Sequence, residues 1–169
     1  MTLAPTATDR GTETRRRILE VAAEAFADRG YAGTSLNDVL KASGVTKGGF
    51  YFHFPSKEAL ALATLRHKQE QWTGAVMAAV LRCPRAVDQL DAMVEALCDL
   101  HEQDRACRAI NRLCTELGDA HPELRPQLGT QLTTWMDMVA AVLRRGQDEG
   151  DIRPDVEPAV AAEIAVESF

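Results

Sequence analysis

Lys47, Gly48 and Gly49 open a short helical stretch, Tyr51 and His53 follow within it, and Lys57 stands just beyond. The chemistry open to these residues is the holding of a polyanion. Two glycines in a first turn leave backbone N–H groups uncovered, and the positive end of the helix dipole adds to their attraction for phosphate. A lysine and polar-tipped aromatic side chains surround them with further donors. As a contribution to stability the stretch is poor, because each glycine costs ~1 kcal/mol against alanine in a helix interior and somewhat less near an end. Lys57 points the same way, since a cation in the first turn of a helix opposes the dipole unless an anion is near. The alternative for the glycines is a small-residue turn that merely packs tightly.

The elements that must position these groups are written in TSLNDVLKASGVTKGGFYFHFPSKE, residues 34–58. Leu36, Val39 and Leu40 stand at i, i+3 and i+4, one face of a short helix capped by Thr34 or Ser35. Gly44 ends it and Val45 anchors the turn. Thr46 caps a second helix, which runs to about Phe54 because Pro55 disfavours helical geometry in the residue before it. Ser56 caps a third. Phe50 and Phe54, four apart, would pack on Leu36, Val39 and Leu40.

TSLNDV, GVTKGGFYFHF and SKEAL, taken in this order and spacing within residues 12–65, closely resemble the DNA-binding segment of the TetR family of bacterial transcriptional regulators. The resemblance implies a helix-turn-helix unit whose second short helix enters the major groove. It implies that Thr46, Lys47 and Gly48 approach phosphates and base edges, and that Gly49 lets the backbone come close. Tyr51 and His53 would donate to phosphates, Lys57 would hold another, and Thr34 and Ser35 would meet the backbone. Most such contacts position a protein without reading sequence. Phe52 stands where many relatives carry a second tyrosine, so a hydroxyl contact is lost there. The implied partners are double-stranded operator DNA, a second copy of the chain in a homodimer and a small lipophilic ligand. The ligand would release a repressor from a pseudo-palindromic operator.

Composition is that of an ordinary globular chain, with 46% hydrophobic and 26% charged residues. The net charge of −6 argues against nucleic acid, but its distribution does not. Residues 1–70 carry ten Lys or Arg against eight Asp or Glu, and residues 71–169 carry nine against seventeen. Arg15, Arg16 and Arg17 cluster near the start of the first helix, either as phosphate contacts or as a solvated face. No stretch reaches the ~20 apolar residues of a membrane span. MTLAPTATDRG has no apolar core segment and reads as a disordered arm (1–11) rather than a signal peptide. A cytoplasmic protein without membrane attachment is the expectation.

Cys83, Cys98, Cys107 and Cys114 form no CxxC pair and no zinc-ligand spacing, so buried reduced thiols are expected, with a thiol sensor as the alternative. No metal or cofactor set is written in the chain. Four scattered histidines without a nucleophile or an acid–base pair argue against an enzyme.

The remaining periodicity is helical throughout, so the fold class is all-α: a three-helix helix-turn-helix domain (12–55) followed by a ligand-binding and dimerisation bundle (56–169). The first helix is expected from about Glu13 to Arg29 with Gly30 as its C′ residue, and Tyr31 packs locally. A long helix from Ser56 to about Leu81 bridges both domains and turns Trp72, Val76, Ala79 and Val80 to one face. Next come helices with Val87, Leu90, Val94, Leu97 and His101 in register and Met93 and Leu100 widening the face, then Ala106, Ile110, Leu113, Cys114 and Leu117, stopped by Gly118. A helix restarting at Pro122 or Pro126 carries Leu128, Leu132, Trp135, Met136, Val139, Val142 and Leu143 to Arg144 and Arg145, and Gly146 and Gly150 finish it. The last helix, from near Glu157, places Val160, Ile164 and Val166 together and looks short beside the family. RAINRL (108–113) and TTW (133–135) resemble the subgroup that answers to γ-butyrolactone signals. On that resemblance Trp135 faces Met93, Leu97, Asn111 and Cys114 across a ligand pocket. Core packing is the other reading of Trp135, and Asn111 needs a partner if it is buried.

Overall fold

A computed structural model of the chain describes residues 7–167, with side-chain surroundings for 10–129 and 133–165. Among the described residues eight α-helices follow one another: α1 (Ala7–Gly33), α2 (Leu36–Ser43), α3 (Lys47–His53), α4 (Lys57–Val80), α5 (Ala86–Gln103), α6 (Arg105–Ala120), α7 (Arg125–Glu149) and α8 (Pro158–Glu167). A 3₁₀ turn, Pro122–Leu124, precedes α7. No strand occurs among the described residues.

The first helix begins at Ala7, earlier than Glu13, so residues 7–11 of the expected arm are helical and residues 1–6 lie outside the described ones. Gly30 interrupts it at φ 72, ψ 175, the positive φ that suits a glycine where a helix ends. A short turn through Tyr31 continues it to Gly33.

The helices form two compact units, and their division differs from the boundary expected at residue 56. One unit runs to Lys68 and includes Asp104–Pro122, and the other joins Gln69–Gln103 to the stretch from Glu123 onward. The helix α4 therefore contributes its first half to one unit and its second half to the other. In the first unit α6 packs on α1, and Ile18, Leu19, Phe26, Val39, Phe50, Leu60, Leu65 and Leu117 make a closed core. The amphipathic pattern of α6 showed that it buries a face, but a pattern does not say against which helix.

The second unit has a smaller core of Val76, Val80, Ala86, Met93 and Val142, with Leu90, Leu97, Leu100, Trp135, Met138 and Val139 partly buried around it. Leu90, Met93, Leu97 and Leu100 pack on the face expected of α5, which departs from expectation at two positions. The buried stripe of α5 is Ala86, Gln89 and Met93, while Val94 and His101 are exposed. Gln89 is tolerated inside because its amide donates to Cys83 O and accepts from Arg145. In the first unit Gly118 is buried within α6, which continues to Ala120 rather than stopping.

Gly146 likewise lies inside α7. A Cβ there would sit 2.5 Å from Ile152, so this glycine makes a seat for the chain as it doubles back. The actual stop is Gly150, at φ 79. Arg145 reaches back to Pro84 O and Gln89, and Glu149 accepts from Ala86 N at 2.8 Å, capping α5 from the end of α7. In α8, Ala162 is buried, while Val160 and Ile164, grouped on one face by their spacing, are both exposed. Leu132 and Val166 lie outside the residues whose side chains are described.

Candidate nucleic-acid interface

The helix–turn–helix is set by local chemistry. Ser35 caps α2 through a capping box: its hydroxyl oxygen accepts from Asp38 N at 3.2 Å, and its backbone N–H donates to the Asp38 carboxylate at 3.1 Å. The hydroxyl also donates to that carboxylate at 2.7 Å, and this bond, ahead of the backbone one, holds the Asp38 pKa below the ordinary carboxylate range. Gly44 ends α2 at φ 66. Thr46 caps α3 by accepting from Gly49 N at 3.2 Å, and Ser56 caps the start of α4 by accepting from Ala59 N at 3.2 Å. Phe50 and Phe54 are buried and fasten α3 to the unit beneath it.

What remains outside on α3 matches the expected set in part. Thr46, Lys47, Gly48 and Tyr51 are exposed, and His53 is half-buried between the rings of Phe52 and Phe54. The two glycines have different reasons. A Cβ at Gly49 would lie 3.1 Å from Val45 and 3.3 Å from the Thr46 hydroxyl, whereas one at Gly48 would meet nothing within 4 Å. Gly49 therefore satisfies the tight-turn alternative, and Gly48 has no steric reason within the protein to be a glycine.

Three expected contacts change. Thr34 is 1% exposed and its hydroxyl hydrogen-bonds to Gly30 O at 2.8 Å and Ala25 O at 3.0 Å, so it is turned inward and braces the end of α1. Ser35 is exposed, but its hydroxyl and its amide both donate to Asp38. Lys57 lies 4.3 Å above the ring of Tyr31, a cation–π contact that gives this cation an internal partner. In the arginine triplet, Arg16 pairs with Glu13 and Arg15 stands 5.2 Å from the centre of the Phe54 ring.

Behind this surface α6 supplies a set of braces that sequence patterning missed. Arg112 donates to the carbonyls of Ala27 at 2.6 Å and Phe26 at 3.2 Å, while Glu116 accepts from Tyr31 N at 2.5 Å. One turn of α6 thus caps both sides of the Gly30 break, its cation on the carbonyls and its anion on the amide. A side chain at residue 30 would collide with Glu116, since a Cβ would lie 2.7 Å from its oxygens. The Tyr31 hydroxyl lies 3.2 Å from Glu58 and 3.0 Å from His121, so its polar partners are distant in sequence rather than local. Burial, then the Glu58 charge, push its pKa up, and Glu58 is held low, first by Ser56. At the other end of α6, Lys68 pairs with Glu20 at 2.9 Å and Asp104 at 3.5 Å. Burial works against its charge, but these two carboxylates outweigh it and raise its pKa. No spacing rule marks such residues, because each pairs with a distant part of the chain.

The expected ligand residues divide between the units. Met93, Leu97 and Trp135 gather in the core of the second unit, while Asn111 and Cys114 belong to α6 in the first. Asn111 is exposed, so it does not need an internal partner. A void of about 10 Å³ between α1, α4 and α6, bordered by Ala23, Leu65, Lys68, Ala106 and Leu113, has room for one water and touches none of the five. Cys98 is exposed and the other thiols partly buried, and burial pushes Cys114 up to about 11. No group of three or more His, Cys, Asp or Glu able to hold a metal occurs among the described residues, and no helix there is long and apolar enough to cross a membrane.

An all-helical chain that displays a capped helix–turn–helix, with the second helix short and glycine-led, has the architecture of a helix-turn-helix regulator. Residues 18–64 match the bacterial regulatory proteins, tetR family, and residues 86–168 match the tetracyclin repressor-like C-terminal domain. The chain belongs to the TetR family. It is 32% identical over 170 residues to the A-factor receptor protein of Streptomyces griseus, covering 95% of this chain and 54% of that one. The chain thus spans about half the length of that relative. It is also 32% identical to the transcriptional regulator TtgR of Pseudomonas putida, covering 90% of this chain and 76% of TtgR. The crystal structure of a γ-butyrolactone receptor described as ArpA-like superimposes with a TM-score of 0.75 at 30% identity, over 94% of this chain and 81% of that one.

Proposed function

We propose that this protein is a DNA-binding transcriptional repressor that occupies a pseudo-palindromic operator as a homodimer and leaves it when a small lipophilic ligand binds. The observation that carries the reading is the outer strip of α3. Thr46, Lys47, Gly48 and Tyr51 lie exposed on a helix whose Phe50 is fully buried, so a rigid base presents an uncovered, donor-bearing surface. Thr46, Lys47, Tyr51 and His53 hold phosphates and Gly48 admits close approach, while Lys57 turns from Tyr31 to phosphate only at the cost of its ring contact. Exposed Val160 and Ile164 on α8 meet their counterparts in a second copy, which sets two reading helices on successive half-sites.

The ligand belongs to the unit that holds Trp135, Met93 and Leu97. Relatives named as an A-factor receptor and a γ-butyrolactone receptor suggest a lipophilic lactone. Release requires the ligand to prefer the arrangement that does not bind DNA, because equal affinity for both shifts nothing. The thiol-switched alternative is not favoured, since a neutral Cys114 is a poor nucleophile towards oxidants. Action on DNA places the protein in the cytoplasm.

The test is selection from a random double-stranded DNA library with the purified protein, followed by titration of the selected DNA with candidate lactones. Enrichment of an inverted repeat whose binding a lactone weakens supports the reading. Failure to enrich any DNA would overturn it.

A further inference from the structure

Phe52 is the side chain for which the fold gives least reason. It is 83% exposed, more than any other large hydrophobic among the described residues, while Phe50 two positions earlier is 0% exposed. Successive residues of a helix turn by about 100°, so Phe52 stands about 200° from Phe50, on the side of α3 that faces away from the core. Its neighbours on that side are Gly48 and Gly49, four and three residues earlier. Neither has a side chain, and the space over Gly48 is open. The outer face of α3 is therefore a bare backbone strip carrying one ring, flanked by Lys47 and Tyr51.

The ring meets that of His53 edge-on, at 5.1 Å between centroids and 83° between planes. A benzyl group neither accepts nor donates a hydrogen bond, so it can neither grip phosphate nor read an amide or carbonyl edge. In the major groove the one apolar group that a base pair presents is the C5-methyl of thymine. Glycines beside the ring allow the helix to come close enough for that contact.

We propose that Phe52 is a specificity-determining residue which packs its ring against a thymine methyl in each operator half-site. The proposal rests on the reading of α3 as a DNA-binding helix and adds a base preference to it. Lys47, Tyr51 and His53 supply affinity through phosphates, which every sequence shares, and Phe52 supplies discrimination.

The test uses the full chain and the operator obtained by selection. Each thymine of the half-site is replaced in turn by deoxyuridine, which removes the methyl group and keeps the base pair. Affinities are measured by fluorescence anisotropy for the wild type, Phe52→Ala and Phe52→Leu. At one thymine, deoxyuridine should weaken wild-type binding roughly five- to tenfold. The same replacement should leave Phe52→Ala unaffected and have an intermediate effect on Phe52→Leu. The dependence of affinity on salt should be the same for all three, because no phosphate contact is removed. An unchanged melting temperature for Phe52→Ala, expected of so exposed a side chain, shows that folding is intact. A wild type that binds its operator with no deoxyuridine position coupled to residue 52 overturns the thymine contact and leaves the DNA reading standing. A wild type that binds no DNA overturns both.

Discussion

The α2–α3 and α7–α8 pairs are both helices joined through a left-handed glycine, Gly44 at φ 66 and Gly150 at φ 79, but they treat their apolar side chains in opposite ways. In the first pair Val39 and Phe50 are buried, and most of what stays outside carries donors or no side chain at all. In the second pair Ala162 is inside and Val160 and Ile164 are out. A surface of donors and bare backbone around the single ring of Phe52 suits a nucleic acid, and an apolar stripe four residues apart suits another apolar surface. On the proposed reading the first pair meets DNA and the second meets another copy of the chain, and the contrast can be tested from both sides.

The largest effect should come from the buried side of the first pair. Phe50→Ala should cost about 3–5 kcal/mol, the usual range for removing a fully buried phenylalanine, and thermal melting should drop or vanish. Ile164→Ala should change the melting of the monomer by less than about 0.5 kcal/mol, while sedimentation shows weaker self-association. Comparable losses of stability from both would erase the contrast.

Cys114, on the bracing helix, should make folding sensitive to alkali. Its folded pKa of about 11 lies above the ordinary 9.0, so the native state keeps a proton that the unfolded chain has already lost. Its contribution is complete below pH 9 and falls as the pH rises towards 11. The loss is at most about 2–3 kcal/mol, reduced by the solvent that still reaches the thiol. Melting curves between pH 8 and 11 should therefore fall less steeply for Cys114→Ala. Equal slopes would mean that the thiol is more exposed than the structure has it.

Thr34→Val tests whether this hydroxyl braces α1 or meets DNA. Loss of its inward hydrogen bonds should cost about 1–2 kcal/mol, with operator affinity of the folded protein unchanged. The smallest effect has the opposite sign. Gly48→Ala should raise stability by no more than about 1 kcal/mol, because its Cβ meets nothing, yet it should weaken operator binding.

The helix–turn–helix was legible because its signals are local. Gly44, Thr46, Pro55 and Ser56 each act on a neighbour within four residues, and the structure uses each as its type suggests. Thr34 and Ser35 show the limit: two adjacent hydroxyls can both cap, and only the position of Gly30 and Ala25 draws Thr34 inward. Gly118 and Gly146 read as stops because nothing nearby in sequence reveals burial inside α6 or the seat of Ile152. Val94 and His101 were misplaced on α5 for a related reason, since both fall in the helical register of Leu90 and Leu97, which do pack on the core. The braces from Arg112, Glu116 and His121 join residues 85 or more positions apart, a distance at which periodicity carries no signal.

The central claim, that the exposed strip of α3 grips the DNA backbone, is tested most directly by the salt dependence of operator binding for the wild type and Lys47→Ala. A phosphate contact by Lys47 predicts weaker binding by the variant, and a slope of log affinity against log salt shallower by about one. An unchanged affinity and slope would contradict the claim and move the DNA-binding surface away from α3.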